Sequence, residues 1–160
     1  MIINITDQQI QIDTSIERIV LDDVREMLAT AHWCPGITVA EIQQAQRNSA
    51  LVVGAFLPSG KQIGYLRVVS DKTRFAYFMD VIVHEHYRRQ GIGQAMVRSA
   101  LAHEELQDVY QWFLLTPDAH GVYAKCGFQP LAAAYGSFAN FENWMAIIHP
   151  RPERTSFEGQ

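Results

Sequence analysis

Apolar positions recur along this chain with two periods, and each change of period marks an element. Residues 2–12 alternate apolar and polar side chains over short stretches, which predicts an edge strand and its turn. Val20, Leu21, Val24, Met27, Leu28 and Ala31 then fall at helical spacing, predicting an amphipathic helix over about residues 16–31. Thr38-Val39-Ala40-Glu41 is a capping-box pattern, and the helix it opens should reach about residue 48. Residues 50–57, the breaker set Pro58-Ser59-Gly60-Lys61 and residues 62–70 read as a β-hairpin. Asp71-Lys72 turn the chain into a long strand over residues 74–83, and a helix-like run occupies residues 95–102. Residues 111–115 predict a short buried strand, and residues 119–125 a short helix that Gly127 ends with a left-handed cap. A last strand is expected over residues 144–148, and a mobile tail over residues 149–160. The order is β-α-α-β-β-β-α-β-α-β, without a repeat or linker, so residues 1–148 read as one mixed α/β domain.

At 160 residues the chain is long enough to bury roughly two-thirds of its unfolded surface. No apolar run approaches the roughly 20 residues of a membrane span, and residues 1–7 lack the pattern of a signal peptide. Cys34 and Cys126 cannot form a disulfide framework, which points to a reducing cytoplasm. A formal net charge of −4 argues against a general nucleic-acid binder, because phosphate contacts need a basic face. One local basic patch remains, at Arg88-Arg89.

That patch opens the stretch Arg88-Arg89-Gln90-Gly91-Ile92-Gly93-Gln94-Ala95, which joins the apolar run 75–83 to the following helix. A strand, a basic glycine turn and a helix make a phosphate cradle. The first helical N–H groups lack partners within the helix, the dipole adds positive charge, and glycine lets the backbone come close. Two familiar templates fail here. A dinucleotide fingerprint wants Gly or Ala where Met96 stands, and a P-loop wants Gly-Lys-Ser/Thr. A plain structural turn is the other reading of this stretch. His84-Glu85-His86 offers two histidines on one face without a nearby third ligand, so no metal site is expected.

Arg88-x-x-Gly91-x-Gly93, entered from an apolar strand, resembles the Arg/Gln-x-x-Gly-x-Gly/Ala signature of the GNAT superfamily of acyl-CoA-dependent N-acyltransferases. Downstream, Thr116, Ala119, Tyr123 and Gly127-Phe128 are similar to that superfamily's Asn-x-x-Ala-x-x-x-Tyr-x-x-x-Gly-Phe segment, with Thr116 standing where many members have Asn. Patches like His32-Trp33-Cys34-Pro35-Gly36-Ile37, Phe75-Ala76-Tyr77, Asp80-Val81 and Asp118-Ala119-His120 resemble one set of small bacterial acetyltransferases. The likeness runs over about residues 20–128. It implies the GNAT fold, an α/β (α+β) domain whose mixed, mostly antiparallel central sheet splays at its middle between flanking helices. It also implies acetyl-CoA (coenzyme A) as acyl donor, a small-molecule primary amine as acceptor and direct attack without a metal. A homodimer is compatible with it. The alternatives are a non-catalytic acyl-CoA-binding or partner-binding module, and acetylation of a protein N-terminus.

The resemblance assigns residues as well. Val81, Ile82 and Val83 would pair with the pantetheine arm like an added strand, with the Val81 N–H facing the developing oxyanion. The pyrophosphate would sit on the amides of Arg89, Gln90, Gly91, Ile92, Gly93 and Gln94, with charge from Arg88 or Arg89, and Thr116 would add a contact. Tyr123 holds the general-acid position. A phenol has an ordinary pKa of about 10 against about 8.5 for a thiol, so it stays protonated at neutral pH yet can give its proton to the leaving thiolate. Its alternative role is to pack a short helix onto the core. The attacking amine must lose a proton, and Asp80, Tyr77, Glu85 and His120 are candidates for taking it. Asp80 lies in an otherwise apolar strand where an unpaired carboxylate is costly, so it is either a base or an anchor for a turn or a neighbouring arginine. Asp118 and His120 also fit a helix cap and a packed imidazole. Trp33, Tyr65 and Phe75 or Tyr77 are expected to wall the acceptor pocket.

Overall fold

The computed structural model describes residues 1–5 and 8–136. The first alternating segment forms two strands, β1 (Ile2–Ile5) and β2 (Gln8–Asp13), which pair as an antiparallel hairpin at the sheet edge. β3 (Leu51–Phe56), β4 (Gln62–Ser70) and β5 (Ala76–Val83) continue the sheet antiparallel, and β6 (Trp112–Phe113) joins β5 in parallel. The spatial order is β1-β2-β3-β4-β5-β6, a mixed and mostly antiparallel sheet.

Helices cover both faces of this sheet, and every residue of β3 is buried as a result. On one face α3 (Ile92–Leu101) sets Ile92, Met96, Val97 and Ala100 against Val53, Ala55, Leu66 and Phe78. On the other, α1 (Leu21–Leu28) and α2 (Val39–Arg47) bring Val24, Leu28 and Ile42 onto Phe56, Tyr65 and Ile82. Full burial of each large apolar side chain contributes about 1.5–3 kcal/mol. Gly64 permits the close approach of α3: a Cβ there would stand 2.9 Å from Met96 Sδ and 3.0 Å from the Ala55 Cβ.

The helix expected over residues 16–31 begins at Leu21 and ends at Leu28. Ile16–Arg18 form a single 3-10 turn, Ile19 and Val20 are extended, and the Val20 N–H donates to Gln62 Oε1 at 2.8 Å. Gln62 is fully buried, and its Nε2 donates to the Gly64 carbonyl at 3.0 Å, so a core glutamine sets where α1 starts. The capping box forms as expected: Thr38 Oγ1 accepts from the Glu41 N–H and the Glu41 carboxylate accepts from the Thr38 N–H.

α3 starts at Ile92 rather than residue 95, because Gly91 (φ +84°) already serves as its N-cap. β6 is two residues long instead of spanning 111–115. The expected 119–125 helix is the short α4 (His120–Ala124), and Gly127 (φ +94°) ends it while the Cys126 and Phe128 N–H groups donate to the Tyr123 carbonyl. A further turn of helix, α5 (Leu131–Tyr135), had no sequence expectation. The expected strand over 144–148 and the tail lie outside the described residues. Among the described residues, no helix is long and apolar enough to cross a membrane.

Candidate active site

β6 pairs with β5 only at Ala76 and Tyr77. Along residues 78–83 that side of β5 has no strand partner among the described residues, which is the splay the sheet was expected to show. On its other side, β5 meets β4 through a β-bulge. Arg67 pairs with Met79 and Tyr65 with Ile82, so Leu66 alone stands opposite both Asp80 and Val81. Asp80 forms the bulge in the left-handed region (φ +54°), where few non-glycine residues go. The bulge re-aims the backbone at Val81, on the strand with the open edge.

Asp80 is tied to Arg67: Nε donates to Oδ2 at 2.6 Å, and the side chains are 14% and 10% exposed. Of the two roles the sequence left open for Asp80, the anchor for a neighbouring arginine therefore has its partner. Sequence reasoning did not single out Arg67. A signal existed, since Arg67 is the lone charge of β4 and Asp80 the lone charge of β5. Opposite charges in adjacent apolar strands tend to find each other.

Beyond β5, Glu85–Tyr87 make a 3-10 turn, and Arg88 reaches back so that its Nε donates to the Val83 carbonyl at 2.9 Å. Arg89 (φ +61°) and Gly91 (φ +84°) then bend the chain into α3. Among the described residues no side chain caps this N-terminus, and the first intrahelical bond is Ala95 N–H to the Gly91 carbonyl. The amides of Ile92, Gly93 and Gln94 thus have no acceptor within the helix. A Cβ added at Gly93 would meet only Val83 Cγ2, at 3.8 Å, so internal packing does not demand glycine there. Its bareness leaves an accessible cradle of amides, flanked by the exposed Arg88 and Arg89. These residues fit a coenzyme A pyrophosphate, and the open edge of β5 fits its pantetheine arm.

α4 leans on α3 through the Arg98 Nη2 donation to the Lys125 carbonyl (2.9 Å) and a Cys126 Sγ contact to the Gln94 carbonyl (3.9 Å). This lays the segment that follows Tyr123 along α3, between Gln94 in its first turn and Arg98 in its last. The half-buried Tyr123 ring packs edge-on against Phe128, centroids 6.0 Å apart. Burial pushes its phenol up to about 12, with Cys126 and Asp118 adding to the rise. Among the described residues none hydrogen-bonds its hydroxyl. Thr116 Oγ1 accepts from the Ala119 N–H at 3.0 Å and so braces the turn before α4, while His120 opens α4 and is exposed. Glu85 is exposed beside His86, at 3.6 Å.

The expected acceptor walls fall in different places. Trp33 is half-exposed in the α1–α2 connection, edge-on to His32 at 5.1 Å. Phe75 stacks on Tyr77 (6.5 Å) and Phe113 (5.5 Å) in an aromatic row at the start of β5. Burial raises the Tyr77 phenol above its ordinary value. Tyr65 lies deeper, 1% exposed beneath α1 and α2, with its hydroxyl lacking any hydrogen-bond partner among the described residues and its pKa raised by burial. A groove of about 730 Å³ at Met1, Asp13, Arg98 and His103 lies toward the far end of α3 and includes none of the glycine-turn, β5 or Tyr123 residues.

A family model described as an acetyltransferase (GNAT) domain matches residues 38–130. Among solved structures, the chain is similar to a GNAT-family protein from Xanthomonas campestris: 31% identity, 88% of this chain and 94% of that one covered, TM-score 0.75. It is also similar to a GNAT-family acetyltransferase from Streptococcus pneumoniae, at 27% identity, 89% and 99% coverage and TM-score 0.68. Glucosamine-6-phosphate N-acetyltransferase from Arabidopsis thaliana shares the fold, with 16% identity, 91% and 99% coverage and TM-score 0.60.

Proposed function

The chain belongs to the GNAT acetyltransferase family, and from that premise we propose that it moves an acetyl group from acetyl-CoA to the primary amine of a small molecule by direct attack. Acetyl-CoA, when bound, supplies the activated thioester, and the residues of this chain supply position, charge and a proton. The uncapped start of α3, the bare Gly93 and the exposed Arg89 support a pyrophosphate grip. The unpaired edge of β5 supports a pantetheine seat at Val81, Ile82 and Val83. The bulge at Asp80 supports a role for the Val81 N–H in stabilising negative charge on the acyl oxygen.

The observation that carries the reading is Tyr123. Its burial keeps the phenol protonated well beyond neutral pH, on the segment that packs along α3 against Gln94 and Arg98. A phenol held in that state can donate to a thiolate as negative charge builds on sulfur. The amine must arrive without its extra proton. Tyr77, Glu85 and His120 stand on segments framing the open edge and are the groups to test for taking it.

Tyr123→Phe tests the assignment. Turnover at neutral pH should fall by about two to three orders of magnitude, while acetyl-CoA affinity by calorimetry stays nearly the same. Normal turnover in this variant removes Tyr123 from the mechanism.

A further inference from the structure

We propose that Arg67 is a positioning residue: through Asp80 it holds the β5 bulge that aims the Val81 N–H. Its effect on turnover rests on the acetyl transfer proposed above, whereas its effect on the backbone does not.

Asp80 occupies left-handed space in the middle of a strand, a conformation that persists only where the surroundings over-determine it. Aspartate tolerates this region better than most residues, yet the alternative is a regular ladder with Asp80 opposite Leu66. The Arg67–Asp80 pair opposes that collapse. Arg67 sits in regular register opposite Met79, immediately before the bulge, and its Nε reaches the first bulged side chain at 2.6 Å. With side chains only 14% and 10% exposed, the pair is poorly screened by solvent, and both charges also act on the neighbouring, neutral Tyr65 phenol. The clamp therefore joins the last ordinary rung of the ladder to the residue whose dihedrals set the next peptide, Asp80–Val81. Releasing it frees that peptide to turn, and a misplacement near 1 Å at a reacting group can cost about 100-fold in rate.

Three variants test this. Arg67→Met should lower kcat by about 10- to 100-fold while the KM for acetyl-CoA stays within about threefold, because the α3 cradle is untouched. Arg67→Lys should recover part of the loss. Asp80→Asn keeps an acceptor for Arg67 and a residue tolerant of left-handed φ, so it should cost less than about tenfold, whereas removing a general base costs about 100-fold or more. The Val81 amide, followed by ¹⁵N NMR and hydrogen exchange, should shift and exchange faster in Arg67→Met and return toward wild type in Arg67→Lys. Should Arg67→Met fail to fold, Arg67→Lys and Asp80→Asn carry the comparison.

Wild-type kcat and an unmoved Val81 amide in Arg67→Met, even with a lowered melting temperature, overturn the proposal. So does a loss above 100-fold in Asp80→Asn beside none in Arg67→Lys, which would make Asp80 a base. If the wild-type chain turns over no amine at all, acetyl transfer fails as the function, and the Val81 amide alone decides the role of Arg67.

Discussion

Tyr123 and Tyr65 show how one residue type serves different ends according to what surrounds its hydroxyl. Both phenols are raised above the ordinary value by burial, Tyr123 to about 12. A group whose folded pKa exceeds its unfolded value favours the folded state while protonated. That contribution is complete below the unfolded value near pH 10 and is lost as pH rises through the folded one. Denaturant unfolding should therefore find no effect from these tyrosines between pH 7 and 9 and a decline in stability from about pH 10 towards 12. A flat profile across that alkaline range contradicts the burial of these hydroxyls. Tyr65 differs in being sealed in the core with a hydroxyl that finds no partner among the described residues. A buried polar atom without a partner costs more than its removal, so Tyr65→Phe should leave stability unchanged or raise it by about 1 kcal/mol. A loss above about 1 kcal/mol in the same measurement would mean that the hydroxyl has a bound partner.

Among elements, α3 carries the proposed pyrophosphate grip, and Gly93 is where folding and binding can be tested apart. An alanine meets nothing closer than 3.8 Å there and is the better helix former, worth up to about 1 kcal/mol. Gly93→Ala, which the Gly/Ala position of the signature admits, should thus hold or raise the melting temperature with acetyl-CoA affinity nearly unchanged, whereas the added carboxylate of Gly93→Asp should weaken acetyl-CoA binding about tenfold by repelling the pyrophosphate. Equal affinity in a stable Gly93→Asp protein would move the pyrophosphate elsewhere. The glycine turn, the Thr38 capping box and the Gly127 cap were legible because each acts within a few residues. The start of α1 was not, because it depends on Gln62, 42 positions away. The Arg67–Asp80 pair was hidden for the same reason: it needs the register of two strands, bulge included.

At the level of the whole molecule, the order of elements among the described residues followed from hydrophobic period together with turn and cap residues, apart from the opening hairpin and α5. The splay of the sheet came instead from the family resemblance, because no local pattern tells β6 to leave β5 after two residues. The acceptor pocket is the least legible part. Its expected walls come from the α1–α2 connection and the start of β5, and the structure sends Tyr65 into the core between them. The central claim is that the assembled site transfers acetyl to a small primary amine, and it is tested by incubating the wild-type chain with acetyl-CoA and a panel of such amines. Free thiol and the mass of the amine product are then followed together. The account predicts thiol release matched one for one by a product carrying one acetyl group on nitrogen. Acetyl-CoA binding with no thiol release above background, for small amines and peptide N-termini alike, would contradict it and leave a binding module.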